Sequence, residues 1–535
     1  NASRGPAVRA RRVECDMGMY QQAMLGAIAS CENIELIEGA AARVLTGGRG
    51  VCGLALEDGR RLELEALILT TGTFLRGLVH IGLESYPAGR LGDPPSNALS
   101  ASIEDLGLAL GRLKTGTPAR LDASSVDLDK LATQPPDPEY WRFSHEEDPP
   151  HHERISCALT RTNPRTHAII RDGLSRSPLF SGVIKGQGPR YCPSIEDKVV
   201  RFPDRDHHQV ILEPTDLSQA VIYPNGISTS LPLDAQEAMI HSIEGLRNAR
   251  MIQPGYAIEY DFVPPTQLKL TLEVGSVPGL FLAGQINGTS GYEEAAGQGL
   301  VAGINAAARL RGDEPLVLSR REAYIGVMVD DLVSRGTAEP YRMFSSRAEF
   351  RLLLREDNAV ERLQAHAERI GLLPQAILAA RADGARRVDD LVARLKRERG
   401  PRERGGQRPT LAQLLRRPGV RITDLLAEEG GGDLFEQAEV RIKYDGYVQR
   451  QIREAERLQR LEHRRIPSGI DYAGIPGLSH EMASKLAEAR PASFAAATRV
   501  DGMTPAALMI LSIWLEHRAN VSRGTEGDGG ADDRG

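Results

Sequence analysis

The chain has 535 residues, more than one hydrophobic core can organise, so about three domains are expected. Hydrophobic residues make up 41% and charged residues 26%, with a formal net charge of −6, which excludes a generally basic nucleic-acid coat; any RNA or DNA contact has to come from a local patch. No apolar run approaches the roughly 20 residues that span a bilayer, and the widely spaced Cys15, Cys31, Cys52, Cys157 and Cys192 include no C-x-x-C pair, which argues against a zinc ribbon or a disulfide framework and for a reducing compartment.

In chain order, "MYQQAMLGAIAS" reads as a helix. Residues 34–72 read as a short antiparallel meander, with turns at Gly47-Gly48 and Asp58-Gly59, feeding a buried strand at Leu67–Leu69 that ends in Thr-Thr-Gly-Thr. "GRLKTGTPAR", 111–120, gathers Arg112, Lys114 and Arg120 around a Gly-Thr-Pro turn; a phosphate site and a surface hairpin both account for it. "GPRYCPSIEDK", 188–198, sets a lone thiol, Cys192, among Arg190, Glu196, Asp197 and Lys198. Three readings stand for that thiol: a nucleophile with a pKa lowered by cationic neighbours, a binding-pocket residue, or a small buried hydrophobe.

Further on, "VPGLFLAGQINGTSGYEEAAGQGLVAGINAAARL", 277–310, reads as a buried strand, a glycine turn and a helix. Gln285 is expected where the turn meets the helix N-terminus, whose free N–H groups and dipole favour an anion; close helix-on-sheet packing explains the same glycines. From about 316 the character is helical and strand-poor. "QAILAARADGARRVDDLVARLKRER" and "VRIKYDGYVQRQIREAERLQRLEHRRI" read as long charged helices around a "PRERGGQRPT" loop, and Ser479 and Thr504 read as N-caps. The tail after 518 is disordered in composition. In "EPYRMFSSRAEFRLLLREDNA", 339–359, Arg347, Arg351 and Arg355 recur every four residues and share a face on either a helix or a strand, with Tyr341, Arg342 and Phe344 nearby. Such a face suits RNA phosphate and unstacked bases, or else a surface salt-bridged to Glu349 and Glu356.

Taken together, "GPRYCPSIEDKVVRF", "IYPNGISTSLP", "PGYAIEYDF", "GLFLAGQINGTSGYEEAAGQG" and "EPYRMFSSRAEFRLLLREDNA" resemble the MnmG (GidA) family over about residues 1–518. The resemblance implies an enzyme using FAD and NADH that adds a carboxymethylaminomethyl-type or taurinomethyl-type group to C5 of the wobble uridine of tRNA, working with an MnmE-type GTPase that delivers a methylene-tetrahydrofolate carbon. It implies a homodimer, a heterotetramer with the GTPase, no membrane, and a location that is cytoplasmic in bacteria and mitochondrial in eukaryotes. The implied fold is α/β: a two-part Rossmann-like FAD domain (1–120 and 256–315), an inserted mixed α/β domain (121–255), and an all-α C-terminal domain (316–518) before a tail at 519–535. No G-x-G-x-x-G follows an early strand, so the first strand and glycine loop are expected upstream of Asn1.

By the same resemblance Ala41, Ser96 and Gln285 contact FAD. The run Gly188, Pro189, Arg190, Tyr191, Cys192, Pro193, Ser194, Ile195, Glu196, Asp197, Lys198, Val199, Val200, Arg201 and Phe202 takes NADH. Cys192 is the candidate nucleophile at uracil C6, and Asp197 or Glu196 the acid/base for the C5 proton. Arg342, Arg347, Arg351 and Arg355 are the candidate tRNA contacts. The rival readings are a folate- and FAD-dependent tRNA uridine methyltransferase and a redox-inactive RNA-binding scaffold.

Overall fold

A computed structural model describes all residues except 1–4, 138–142, 144–153, 189–192, 403–406, 427–431, 463–464, 468, 492, 499, 501 and 525–535. The tail is expected to begin at 519, but the last helix continues to Gly524; only the part beyond 524 lies outside the described residues. The chain divides into two units. One comprises Arg11–Val317 with Gly336–Met343; the other comprises Leu318–Arg335 and Phe344 onward, with Asn1–Ala10.

Mixed α/β architecture belongs to the first unit. Its central element is the strand Tyr256–Phe262, every residue of which is buried. It lies between the strands Leu78–Ile81 and Gly111–Thr117, antiparallel to both, with Glu84–Pro87 outside Leu78–Ile81. Side chains alternate across a strand. In "YAIEYDF" one face is therefore Tyr256, Ile258, Tyr260 and Phe262, while the other carries Glu259 and Asp261 into the interior. Buried carboxylates need partners. Asp261 takes Ser100 Oγ at 2.6 Å and an Arg112 guanidinium nitrogen at 2.9 Å, and Glu259 takes His80 Nε2 at 3.1 Å.

A six-stranded antiparallel sheet runs in the order Met251–Gln253, Arg120–Asp122, Val221–Asn225, Gln209–Pro214, Cys157–Arg161, Ala132–Gln134. The helices Pro164–Gly173, Ile195–Arg201 and Leu233–His241 share its apolar core, in which Leu121, Ile170, Ile195, Val199, Leu212 and Ile240 are almost fully buried. Pro at the first helical position and an Asn163–Thr166 capping box start the first of these helices, a cap of about 1 kcal/mol. The meander Ala41–Gly47, Gly50–Leu56, Arg61–Glu63 forms a separate three-stranded sheet, and Leu67–Leu69 pairs in parallel with Leu280–Leu282.

The second unit is helical among its described residues. Gln375–Arg397, Leu411–Leu415 and Gly432–Glu462 pack around Leu395, Leu415, Ala438 and Ile442. Another core joins Leu486, Phe494, Ala497 and Leu511 from the last helices. Ser479 accepts from Met482 N–H at 3.3 Å and Thr504 from Ala507 N–H at 3.1 Å, the capping roles expected of both. Among the described residues no helix is long and apolar enough to cross a membrane.

Candidate cofactor and substrate site

In an open α/β arrangement ligands gather beyond the carboxyl ends of parallel strands. Here those ends belong to Leu67–Leu69 and Leu280–Leu282, closed by a hydrogen bond from Ala283 N–H to the Leu69 carbonyl at 3.0 Å. Each strand runs straight into a turn: Thr70 to Thr73 on one side, the 3-10 turn Gly284–Asn287 on the other. The turns meet closely, since a Cβ built on Gly72 would lie 3.5 Å from Gln285 Oε1. Ser96 joins them, its N–H donating to the Phe74 carbonyl at 2.8 Å while its side chain makes no capping bond to the helix Asn97–Asp105. Ser102 of that helix accepts from Val44 N–H at 3.0 Å, in the strand that begins at Ala41. Ser96 and Gln285 are thus brought to one crevice, and the strand of Ala41 packs against the helix that Ser96 opens.

Two atoms at this crevice, Thr71 Oγ1 and Asn287 Oδ1, are buried without a hydrogen-bond partner. Buried polar atoms are rarely left so, and the pair fits a ligand rich in hydroxyl and phosphate groups. The hydroxyls and phosphates of a flavin dinucleotide are such a set.

Two expectations need correction. Gln285 does not meet the helix N-terminus: it sits within the 3-10 turn, and the helix starts later, at Tyr292. The glycines Gly284 (φ +87°) and Gly288 (φ +77°) bracket that turn, and the Asn287 side-chain amide ties it back to the Leu282 carbonyl at 2.6 Å. Nor is the N-terminus of Tyr292–Arg311 open to an anion. Glu293 and Glu294 stand in its first turn, and the buried Glu294 carboxylate accepts from Met343 N–H at 2.8 Å and Arg342 Nε at 3.2 Å. An acid there already complements the helix dipole.

Of the expected nicotinamide segment, Pro189, Arg190, Tyr191 and Cys192 lie outside the described residues. Ser194 caps the helix Ile195–Arg201, accepting from Asp197 N–H at 3.3 Å, and Phe202 ends it, exposed. Ile195 and Val199 turn into the core, Val200 outward. Glu196 is fully buried and accepts from Ser230 N–H at 3.0 Å. Asp197 faces Arg201 at 3.8 Å, and the Lys198 ammonium donates to the Gly226 carbonyl at 2.8 Å. Of the two carboxylates, Asp197 keeps a route to solvent and Glu196 does not.

A small cavity beside Ser194 is lined by Lys114, Gly116, Ser228, Thr229 and Tyr256. Lys114 is only 3% exposed, so "GRLKTGTPAR" is not a surface hairpin: its first seven residues form a strand at the edge of the four-stranded sheet, paired with Tyr256–Phe262. Sequence reasoning missed Glu259, whose signal was the pair of acids at alternate positions, 259 and 261, in an otherwise apolar and aromatic strand. Among the described thiols, burial first and then the Glu14 and Glu213 charges push Cys157 up to about 11, the reverse of a reactive site.

The arginine segment departs from either expected geometry. Ser345–Arg347 is a single 3-10 turn, and residues 348–358 form neither helix nor strand. Arg320 holds the segment in this form. Its guanidinium takes the Arg347 carbonyl at 3.1 Å, the acceptor a helix would need for the N–H of Arg351, and it grips the Glu349 carboxylate at 2.7 Å. Glu349 therefore pairs outside the expected stripe. Arg355 is 4% exposed, forked onto Asp357 at 2.9 and 3.0 Å, while Arg347 lies 3.9 Å from Asp331. Arg351 is half-buried, its Nε 3.4 Å from the Ala348 carbonyl. The shared arginine face does not form.

Comparison with known proteins gives three family matches: "Glucose inhibited division protein A" over residues 1–314, "tRNA modifying enzyme MnmG/GidA C-terminal helical domain" over 350–452, and its "C-terminal helical bundle" over 454–534. A protein of Geobacter metallireducens named tRNA uridine 5-carboxymethylaminomethyl modification enzyme MnmG is 48% identical over 536 residues, covering 97% of this chain and 86% of that protein. One of the same name from Syntrophotalea carbinolica is 48% identical over 531 residues, covering 96% and 86%. The crystal structure of Aquifex aeolicus GidA superposes with a TM-score of 0.83 at 42% identity, covering 96% of this chain and 86% of that one.

Proposed function

The chain belongs to the MnmG/GidA family, and on that premise we propose that it is a tRNA-modifying enzyme that builds a 5-carboxymethylaminomethyl-type group on the wobble uridine. The observation that carries this reading is the crevice beyond the two parallel strands, with Thr71 Oγ1 and Asn287 Oδ1 buried and unpartnered, in a chain 48% identical to enzymes of that name. We assign FAD to this crevice, held by Ser96, Gln285 and the backbone of Ala41. When bound it supplies two-electron redox chemistry, with NADH at residues 188–202 as the reductant.

Uracil C5 is a weak carbon nucleophile. Addition of the Cys192 thiolate at C6 would place the displaced electron pair on the C5–C4–O4 enolate, so that C5 attacks the incoming one-carbon unit. Asp197, rather than the enclosed Glu196, then takes the C5 proton, and expulsion of the thiolate restores the ring. The one-carbon unit is assigned to an MnmE-type GTPase docked on the last helices, about 470–518, in a heterotetramer of two copies of each chain. The matches over 350–452 and 454–534 weigh against the short folate-dependent methyltransferases.

Incubating the protein with FAD, NADH, the GTPase, methylene-tetrahydrofolate, glycine and unmodified tRNA tests the reading by mass analysis of the nucleosides. A carboxymethylaminomethyl uridine is the expected product. A methyluridine would favour the methyltransferase, and colourless protein with tRNA affinity but no product would favour the scaffold.

Arg351 is assigned to tRNA phosphate. Arg351→Ala is expected to weaken tRNA binding and reduce the slope of log K against log salt by about 0.8, the share of one phosphate, with NADH oxidation unchanged. Filter binding across a salt series checks this. An unchanged slope in a normally folded variant removes Arg351 from the interface.

A further inference from the structure

We infer that Glu259 is a positioning residue that holds the N-terminal arm of the nicotinamide segment, residues 185–188, in its binding geometry; this rests on the assignment of 188–202 to NADH.

The arm is pinned residue by residue to the central sheet. Glu259 Oε1 accepts from Lys185 N–H at 2.9 Å and Gly186 N–H at 2.5 Å. Gln187 returns its carbonyl to Lys114 N–H at 3.1 Å and bridges Leu113 in parallel. Gly188 closes over the Lys114 side chain, since a Cβ there would lie 3.3 Å from Lys114 Cδ. Lys114 and Glu259 are direct cross-strand partners, so their side chains leave the same face of the sheet, under the arm. Both are 3% exposed.

The middle of the segment is held in the same manner. Ile195 N–H donates to the Ser228 carbonyl at 2.8 Å, and the Glu196 carboxylate takes Ser230 N–H. Two buried carboxylates thus fasten this part of the chain, each by backbone N–H bonds between distant stretches.

Glu259 is built to be rigid. Its second oxygen meets His80 Nε2 at 3.1 Å, and His80 Nδ1 reaches Ser85 Oγ at 2.7 Å, so imidazole and carboxylate orient each other. Burial pushes the Glu259 carboxyl up, but the His80 and Gly186 bonds, the Arg112 charge and the Lys185 bond bring it below its usual value. It is therefore an ionised acceptor for two amides, stronger than a neutral one. Gly186 leaves no alternative path for the arm: a Cβ there would stand 3.0 Å from both Glu259 Oε1 and the Leu113 carbonyl carbon.

The test uses the whole FAD-loaded protein. Glu259→Ala is expected to raise the KM for NADH in flavin reduction at least tenfold, to leave reduction by dithionite unchanged, and to accelerate hydrogen exchange of the 185–188 amides at least tenfold. Glu259→Gln keeps an acceptor oxygen and is expected to recover the KM to within about threefold. Gly186→Ala displaces the arm without removing a charge and is expected to raise the KM similarly, so it decides the matter if Glu259→Ala does not fold. A wild-type KM in Gly186→Ala and in folded Glu259→Ala overturns the inference, as does faster exchange with an unchanged KM. If NADH fails to reduce the flavin of the unaltered protein, the nicotinamide assignment falls, and the inferred role for Glu259 falls with it. Exchange at 185–188 then separately reports whether Glu259 anchors the arm.

Discussion

Arg320→Ala is expected to destabilise the helical unit by about 3–5 kcal/mol, the usual consequence of removing one partner from a buried ion network. Arg320 binds Asp331 at 2.7 Å, Asp330 at 3.1 Å and Glu349 at 2.7 Å, and also holds the Val327 and Arg347 carbonyls. Burial by itself would lower its pKa, yet the charges and hydrogen bonds of Asp331 and Glu349 more than reverse this and raise it. Asp331 is 3% exposed, and Arg335 and Arg347 stand from it at 3.7 and 3.9 Å. Alanine would take from that buried carboxylate its hydrogen bond at 2.7 Å. For a unit of this size the loss corresponds to a fall in Tm on the order of 10 °C, read by thermal denaturation. Arg320→Lys is expected to recover only part, because an ammonium cannot fork across three carboxylates and two carbonyls. A Tm within a degree of the parent would mean that the network behaves as an exposed one.

Cys192→Ser is expected to lower tRNA modification by about a thousandfold or more while NADH-driven flavin reduction stays within about twofold of the parent, because a hydroxyl cannot replace a thiolate adding to C6. The two activities are measured apart, one by nucleoside mass analysis and the other by bleaching of the flavin absorbance. The alternative roles of the residue give different results. A pocket residue would raise the KM for NADH and leave modification intact at saturating NADH. A structural residue would lower the Tm and both activities together. Full modification by Cys192→Ser removes the nucleophile from the mechanism.

Local pattern was enough to specify much of this molecule. Capping side chains at Ser479 and Thr504, the long charged helices Gln375–Arg397 and Gly432–Glu462, the meander turns and the strand Leu67–Leu69, of which only Leu69 is buried, all follow from neighbours a few residues apart. The family resemblance likewise came from contiguous motifs, and the mixed α/β and helical architecture agrees with it. What pattern did not reach is the set of contacts made by buried charges to distant backbone. Glu259 holds amides 74 and 73 positions away, Glu294 an amide 49 away, and Arg320 a carbonyl 27 away. A repeat of four in "SSRAEFRLLLRE" reads equally as helix or strand, yet the segment folds as neither: Arg320 binds the Arg347 carbonyl and the Glu349 carboxylate, and Arg355 is buried on Asp357. Periodicity records which face of an element is apolar. It does not record which remote N–H or C=O a buried carboxylate or guanidinium will satisfy, because that choice is made only when the sheet and the loops above it are packed together, and the cost of leaving a buried charge unpaired then overrides local preference.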